Sequence, residues 1–301
     1  MKKEWIRMNL IIIGNGFDLA HNLNTRYSDF MEYLWKNDKE FYDRLTKYIY
    51  DEDLWNDFET ALGYFDDGEL LEMCNAAYLN YTNIQDDAKE AISDEIKFSA
   101  YISEHLLGWI KNIDTKVFPI VSDKIINNQN LFLNFNYTDT LERSYRIENN
   151  RICYIHGKAL QNDRLIIGHH NLLHKGKEPY FASYDEYDDW LEFQYSKSSE
   201  EVEREYQAEE YFINTYKDTE AIIVANKDFF EDICHVEEIY ILGHSLSGVD
   251  YAYFQKICSN VPQECVWNIT CYTDKDKENA ERLISSLGIS EYHLLSFDDI
   301  M

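Results

Sequence analysis

The chain has 301 residues, 45% of them hydrophobic and 15% aromatic, and carries 56 acidic against 28 basic side chains, a formal net charge of −28. That length builds one large domain or two ordinary ones, and the apolar fraction excludes disorder along the whole chain. The charge excludes a surface that coats DNA or RNA and disfavours docking on anionic membranes, while a local nucleic-acid site stays open.

The amino terminus reads MKKEWIRMNLIIIG. Its apolar run from Leu10 to Ile13 is too short for a signal-peptide core or a bilayer span, so a soluble, cytoplasmic protein is expected. Met8 to Ile13 predicts a strand covered on both faces, ending in Gly14-Asn15-Gly16. Helical spacing runs from about Tyr27 to Ile126 and predicts four to six helices. Phe30, Tyr33 and Leu34 share one face there, as do Leu54, Phe58 and Leu62. Ile92, Ile96, Ala100 and Ile102 begin a helix reaching about Ile113. Asn130 to Phe135 predicts a second buried strand, and Ile152 to Ile155 and Leu165 to Ile167 predict two short ones.

Residues 181–210 hold eleven acidic and two basic side chains. Val202, Tyr206, Ile213 and Tyr216 keep helical spacing through and beyond them, which predicts an amphipathic acidic helix with a solvated face. Glu238 to Leu242 predicts a buried strand closed by Gly243, and Val249 to Cys258 a helix. An alternating strand is expected over Val266 to Tyr272, a helix over Lys275 to Leu287 and a last strand over Tyr292 to Leu295. Strands alternating with helices predict a parallel sheet. The six cysteines, Cys74, Cys153, Cys234, Cys258, Cys265 and Cys271, form no C-x-x-C pair, and buried reduced thiols are expected.

Polar residues gather where the predicted strands end. Gly14-Asn15-Gly16-Phe17-Asp18 permits a tight turn whose helix-start amides hold a diphosphate, or serves as an ordinary strand–helix turn. Leu19 stands where G-x-G-x-x-G has its third glycine. Asp18 is placed to cap the helix or to meet a ribose hydroxyl. Asn136, after the second strand in Asn134-Phe135-Asn136-Tyr137-Thr138-Asp139, is placed to orient a water or a sugar hydroxyl, or to form a turn. His156 in Ile155-His156-Gly157 suits a general base or a structural role, and His169 and His170 after Gly168 pose the same choice. Gly243-His244-Ser245-Leu246 with Asp250 suits a second phosphate or ribose contact. Ser247 stands where the hydrolase G-x-S-x-G would need glycine, and no H-E-x-x-H or compact Cys/His set occurs. Side by side on one sheet, these ends describe a dinucleotide cleft. The expected fold is therefore α/β, a Rossmann-like core (residues 1–30, 129–180 and 230–301) with an α-helical insertion (31–128) and an acidic helical segment (181–229).

The segment from Gly14 to His21, followed by Tyr27-Ser28-Asp29-Phe30, resembles the signature of the bacterial abortive-infection AbiH family. Asn134-Phe135-Asn136-Tyr137 with Leu141, Ile155-His156-Gly157, and Gly243-His244-Ser245-Leu246 with Asp250 match in order and kind. Asn22 and Asn24 depart from it, standing where the family usually has glycine and often proline. That family in turn resembles sirtuin-type NAD-binding domains. In that group a G-A-G turn opens the fold, an Asn-Tyr-Asp segment and a His-Gly pair supply the catalytic asparagine and histidine, and a Gly-x-Ser turn contacts the cofactor.

The resemblance implies Asn136 and His156 as a catalytic pair. It implies cofactor contacts from Gly14, Asn15, Gly16, Phe17, Asp18, Tyr137, Gly243, His244, Ser245 and Asp250, with His169 as an additional contact. Asn15 replaces the usual alanine and Thr138 the common aspartate. The four-cysteine zinc module of protein-deacylating sirtuins is absent, which implies hydrolysis of NAD at the nicotinamide–ribose bond, with NAD as substrate and no resident cofactor. A phage-encoded trigger and a homo-oligomer are implied as partners. Two other readings stand beside this one. The first is a sensor that binds an ADP-ribose-like nucleotide without hydrolysis. The second is an adaptor or nuclease partner using the acidic helical regions, where Asp185, Glu186, Asp188 and Asp189 read first as solvated charge.

Overall fold

A computed structural model describes residues 8–49, 53–64, 98–161, 165–170, 183, 188, 189, 192, 195–197 and 211–301. The expected helix start at Ile92 and Ile96, Cys74, and most of the acidic segment 181–210 lie outside them. The chain divides into two compact units, the first of residues 1–30, 106–166 and 218–301, the second of residues 31–105 and 167–217.

The first unit is built on β1 (Leu10–Ile13), β2 (Leu131–Asn134), β3 (Ile152–Tyr154), β4 (Glu238–Leu242), β5 (Val266–Thr270) and β6 (Tyr292–Leu295). They form one all-parallel sheet in the order β3-β2-β1-β4-β5-β6. The helices described are α1 (Asn15–Ala20), α2 (Tyr27–Asn37), α3 (Lys39–Tyr48), α4 (Phe58–Ala61), α5 (Phe98–Lys111), α6 (Thr140–Tyr145), α7 (Thr219–Ala225), α8 (Lys227–Asp232), α9 (Tyr251–Asn260) and α10 (Asp274–Leu287).

Parallel strands covered on both faces are written as unbroken apolar runs, and β1, Leu-Ile-Ile-Ile, is buried at every position. Successive side chains point to opposite faces. Leu10 and Ile12 join Leu133, Ile239, Ile241 and Ile269 in a core with Phe254, Ile257 and Leu283 from α9 and α10. Ile11 and Ile13 join Phe132 and Leu242 on the other face, against Phe17 of α1 and Leu141 of α6. The result is a doubly wound α/β unit, as expected from the sequence. Helix α10 is bounded by a capping box, Thr273 with Asp276, and ends on Gly288 at φ 67°.

Two expectations fail within this unit. Residues 165–167 form no strand. Ile166 instead donates its N–H to the His156 carbonyl at 2.9 Å and accepts the Tyr137 hydroxyl at 2.8 Å, so this short apolar stretch covers the exits of β2 and β3. Nor does β5 alternate between core and solvent. Asn268 and Thr270 are buried like their neighbours, because Thr270 Oγ1 accepts the Gly243 N–H at 2.9 Å and donates to the Ile241 carbonyl at 3.0 Å. The five described cysteines are free thiols, but only Cys265 is buried and Cys234 is exposed. Burial pushes the Cys153 and Cys265 thiols up to about 12, which leaves them protonated and inert.

In the second unit, α3 is capped by Asp38, which accepts the Phe41 N–H, and buries Phe41, Leu45 and Tyr48 at helical spacing. Lys217 is buried and pairs with Glu59 at 2.8 Å, and Tyr211 donates its hydroxyl to the Leu62 carbonyl at 3.0 Å. Among the described residues no helix is long and apolar enough to cross a membrane.

Candidate functional site at the strand ends

Strand order reverses between β1 and β4: the chain moves outward through β2 and β3 on one side and through β5 and β6 on the other. Open parallel sheets take ligands in the crevice beyond the carboxyl ends at such a switch point. The residues following β1 and β4 are Gly14-Asn15-Gly16 and Gly243-His244-Ser245.

These two turns are pressed together. Gly14 donates its N–H to the Leu242 carbonyl at 3.0 Å and Gly16 donates to the Gly243 carbonyl at 2.7 Å. A Cβ on Gly16 would stand 2.8 Å from Gly243 Cα, and one on Gly243, whose φ is 67°, would stand 2.2 Å from the Phe17 nitrogen. The glycines therefore let two backbones touch, and the Gly16 amide is used in joining them. Asn15 and Ser245 are exposed on either side. Asn15 Nδ2 donates to the Thr25 carbonyl and the Ser245 carbonyl accepts from Asn279 Nδ2, both at 2.8 Å. Phe17 is fully buried, its ring 4.5 Å from His21. Asn22 holds φ 60°, a left-handed conformation that asparagine tolerates.

Asp18 faces inward and is only 1% exposed. It neither caps α1 nor meets solvent. Thr138 Oγ1 donates to Oδ2 at 2.6 Å, and Thr140 Oγ1 donates to Oδ1 at 2.8 Å. Burial pushes its carboxyl up from 3.8 to about 6, against these hydrogen bonds and one from the Asn136 side chain. Asn136, 8% exposed, also donates from Nδ2 to the Gly14 carbonyl at 3.1 Å. Nδ2 is engaged with the Gly14 carbonyl, so Oδ1 is the Asn136 atom that can orient a water or hydroxyl. Thr138 and Thr140 are the residues sequence reasoning missed here; a Thr-x-Thr pair after a strand is the signal that marks such a brace.

On the β3 side, His156 is 3% exposed. Its ring meets Phe135 at 5.2 Å, Tyr137 at 6.4 Å and Tyr253 at 5.7 Å. Phe135 and Tyr137 flank Asn136 in the chain, so the ends of β2 and β3 converge. Phe135 also meets the His244 ring at 4.5 Å. Between the two imidazoles lies Asp250, with Oδ1 3.8 Å from His156 Nε2 and Oδ2 3.3 Å from His244 Nε2. His169 belongs to the second unit. There its N–H donates to the Thr215 carbonyl, its carbonyl accepts from Lys217, and its ring meets Phe212 and Tyr216 edge-on. Among the described residues no three His, Cys, Asp or Glu side chains are placed to hold a metal ion.

The chain matches no curated protein and no solved structure. A family model described as bacteriophage abortive infection AbiH matches residues 10–271, which spans β1 to the end of β5 and includes the turns after β1, β2, β3 and β4. Abortive infection of phage is the role this family carries, and the chain belongs to the bacteriophage abortive infection AbiH family.

Proposed function

We propose that the protein acts in abortive infection by hydrolysing NAD at the nicotinamide–ribose bond, with Asn136 and His156 as the catalytic pair. One observation carries the reading: an amide oxygen and an imidazole stand at adjacent strand ends, next to the switch point where parallel sheets receive nucleotides. In the reaction a water oxygen bonds to the ribose anomeric carbon. The carbon–nitrogen bond breaks, its electron pair goes to the nicotinamide nitrogen, and nicotinamide leaves neutral. Asn136 Oδ1 orients the water, and His156 takes its proton. General-base assistance of this kind contributes about a hundred- to ten-thousand-fold. Positioning supplies the rest. Asn15 and Ser245 flank the crevice where the diphosphate and second ribose bind. With a formal net charge of −28 on the chain, the dinucleotide is held by such local groups against the general field. A phage-encoded trigger and a homo-oligomer are the partners this reading carries.

A second reading, an ADP-ribose-like sensor without hydrolysis, is favoured by the burial of His156 and the bond of the Asn136 amide to the Gly14 carbonyl inside the protein. Purified protein incubated with a panel of NAD, NADP and ADP-ribose, followed by product chromatography and calorimetry, separates the two. Nicotinamide release that disappears in both Asn136→Ala and His156→Ala, with the fold intact by circular dichroism, supports the hydrolase. Binding without release supports the sensor. Release at wild-type rates in both variants overturns the assignment.

A further inference from the structure

We infer that Asp250 and His244 are positioning residues that fix the proton on His156, an arrangement that deepens the hydrolase reading and for its kinetic half rests on it. Asp250 sits at the N-cap of α9, where an aspartate ordinarily accepts a helix N–H, yet its side chain makes no capping hydrogen bond. It turns instead between two imidazoles, with its carboxylate 12% exposed and their side chains 3% and 4% exposed. A carboxylate removed from water needs partners that offset its lost hydration, and here ring nitrogens face both oxygens.

The tautomer of His244 follows from geometry. The Leu246 N–H donates to His244 Nδ1 at 2.9 Å, so Nδ1 is an acceptor and the proton sits on Nε2, toward Asp250 Oδ2. His244 is thus a donor that holds the carboxylate, not a second base. The turn that achieves this is strained: Leu246 is a non-glycine residue at φ 53°, three residues after Gly243 at φ 67°. Such conformations persist where the surrounding structure requires them, and they gather at functional sites.

The other oxygen, Oδ1, faces His156 Nε2 at 3.8 Å. A proton on Nε2 points at it, so the carboxylate selects the tautomer of the base in the proposed reaction. The imidazolium so formed lies beside a carboxylate anchored from its far side, and the 3.8 Å separation closes as the charge develops; catalytic hydrogen bonds are often long before substrate binds. The same logic of base and orienting carboxylate is used by hydrolytic triads. Among the described residues the titratable groups meeting His156 are Asp250, Tyr137 and Tyr253. The Tyr137 hydroxyl is committed to the Ile166 carbonyl.

The test compares the intact chain with Asp250→Asn and His244→Asn in two measurements. The first is nicotinamide release across pH 5.5 to 9. Asp250→Asn is expected to lower kcat about 100-fold with KM within about three-fold, and to move the acid limb of the profile to lower pH, because the imidazolium loses its anion. The second needs no substrate: the His156 ring is titrated by NMR. Its midpoint is expected to fall by about one pH unit in Asp250→Asn. His244→Asn shifts it in the same direction and less, while His21, elsewhere in the same unit, is unmoved. If the wild type releases no nicotinamide but the NMR shift appears, the hydrolase reading fails and the coupling stands. If release occurs while the Asp250→Asn profile and the His156 titration match the wild type, the inference is overturned. Should Asp250→Asn fail to fold, the His156 titration in His244→Asn decides.

Discussion

Gly243→Ala is expected to abolish soluble folded protein, or to lower unfolding stability by about 4 kcal/mol or more. Two effects add. At φ 67° a non-glycine residue occupies the left-handed region, which by itself costs roughly 1–2 kcal/mol. The larger effect is steric. The new Cβ would lie 2.2 Å from the Phe17 nitrogen and 2.4 Å from the Gly16 carbonyl carbon, backbone atoms that cannot rotate away. Relief requires the β1 and β4 turns to separate, which breaks the Gly16 to Gly243 hydrogen bond and opens the switch point. Urea denaturation measures the effect, and an alanine variant within about 1 kcal/mol of wild type contradicts the close approach.

The second large effect concerns Asp18. Asp18→Ala removes the acceptor for two buried threonine hydroxyls, and a loss of about 2–5 kcal/mol is expected from the stranded donors. Asp18→Asn separates charge from shape. The folded carboxyl titrates near 6 against 3.8 in the unfolded chain, because burial disfavours its ionised form. A raised carboxyl pKa contributes stability that is fully present below pH 4 and is lost as pH rises through 6. Wild type therefore loses stability relative to Asp18→Asn across that window, by about 3 kcal/mol at 1.36 kcal/mol per pH unit. Urea midpoints of both proteins at pH 4, 5, 6 and 8 follow the gap, and a gap independent of pH contradicts the buried, ionising carboxylate.

Those two residues show which features were legible. Gly243 and Asp18 both stand out in the sequence, as a glycine closing an apolar run and an acid after a glycine turn, and both fall at the strand ends where they were expected. Their roles were hidden, because each depends on a residue distant in the chain: Gly16 for Gly243, Thr138 and Thr140 for Asp18. The strands Glu238–Leu242 and Tyr292–Leu295 were legible to the residue, since apolar runs bounded by glycine or polar turns have few other solutions. Leu165 to Ile167 carries a similar pattern, but the backbone of Ile166 bonds to His156 and to the Tyr137 hydroxyl instead of to a strand. β5 looked half-exposed because Asn268 and Thr270 are polar, although hydrogen bonds to the β4 exit absorb Thr270. The order β3-β2-β1-β4-β5-β6 is set by packing between segments and leaves no local trace. Asp250 read as a ligand contact at the start of a helix. Only its missing cap bond and the Leu246 turn show it aimed at two histidines.

On the proposed reading a nucleotide lies beyond the carboxyl ends of β1 and β4, with its ribose toward Asn136 and His156. A crystal structure of the intact chain with ADP-ribose tests it most directly. The expected density has the diphosphate over the joined 14–16 and 243–245 turns, beside Asn15 and Ser245, and the anomeric carbon within reach of Asn136 Oδ1 and the His156 ring. Ligand bound elsewhere on the chain, or none at saturating concentration, contradicts it.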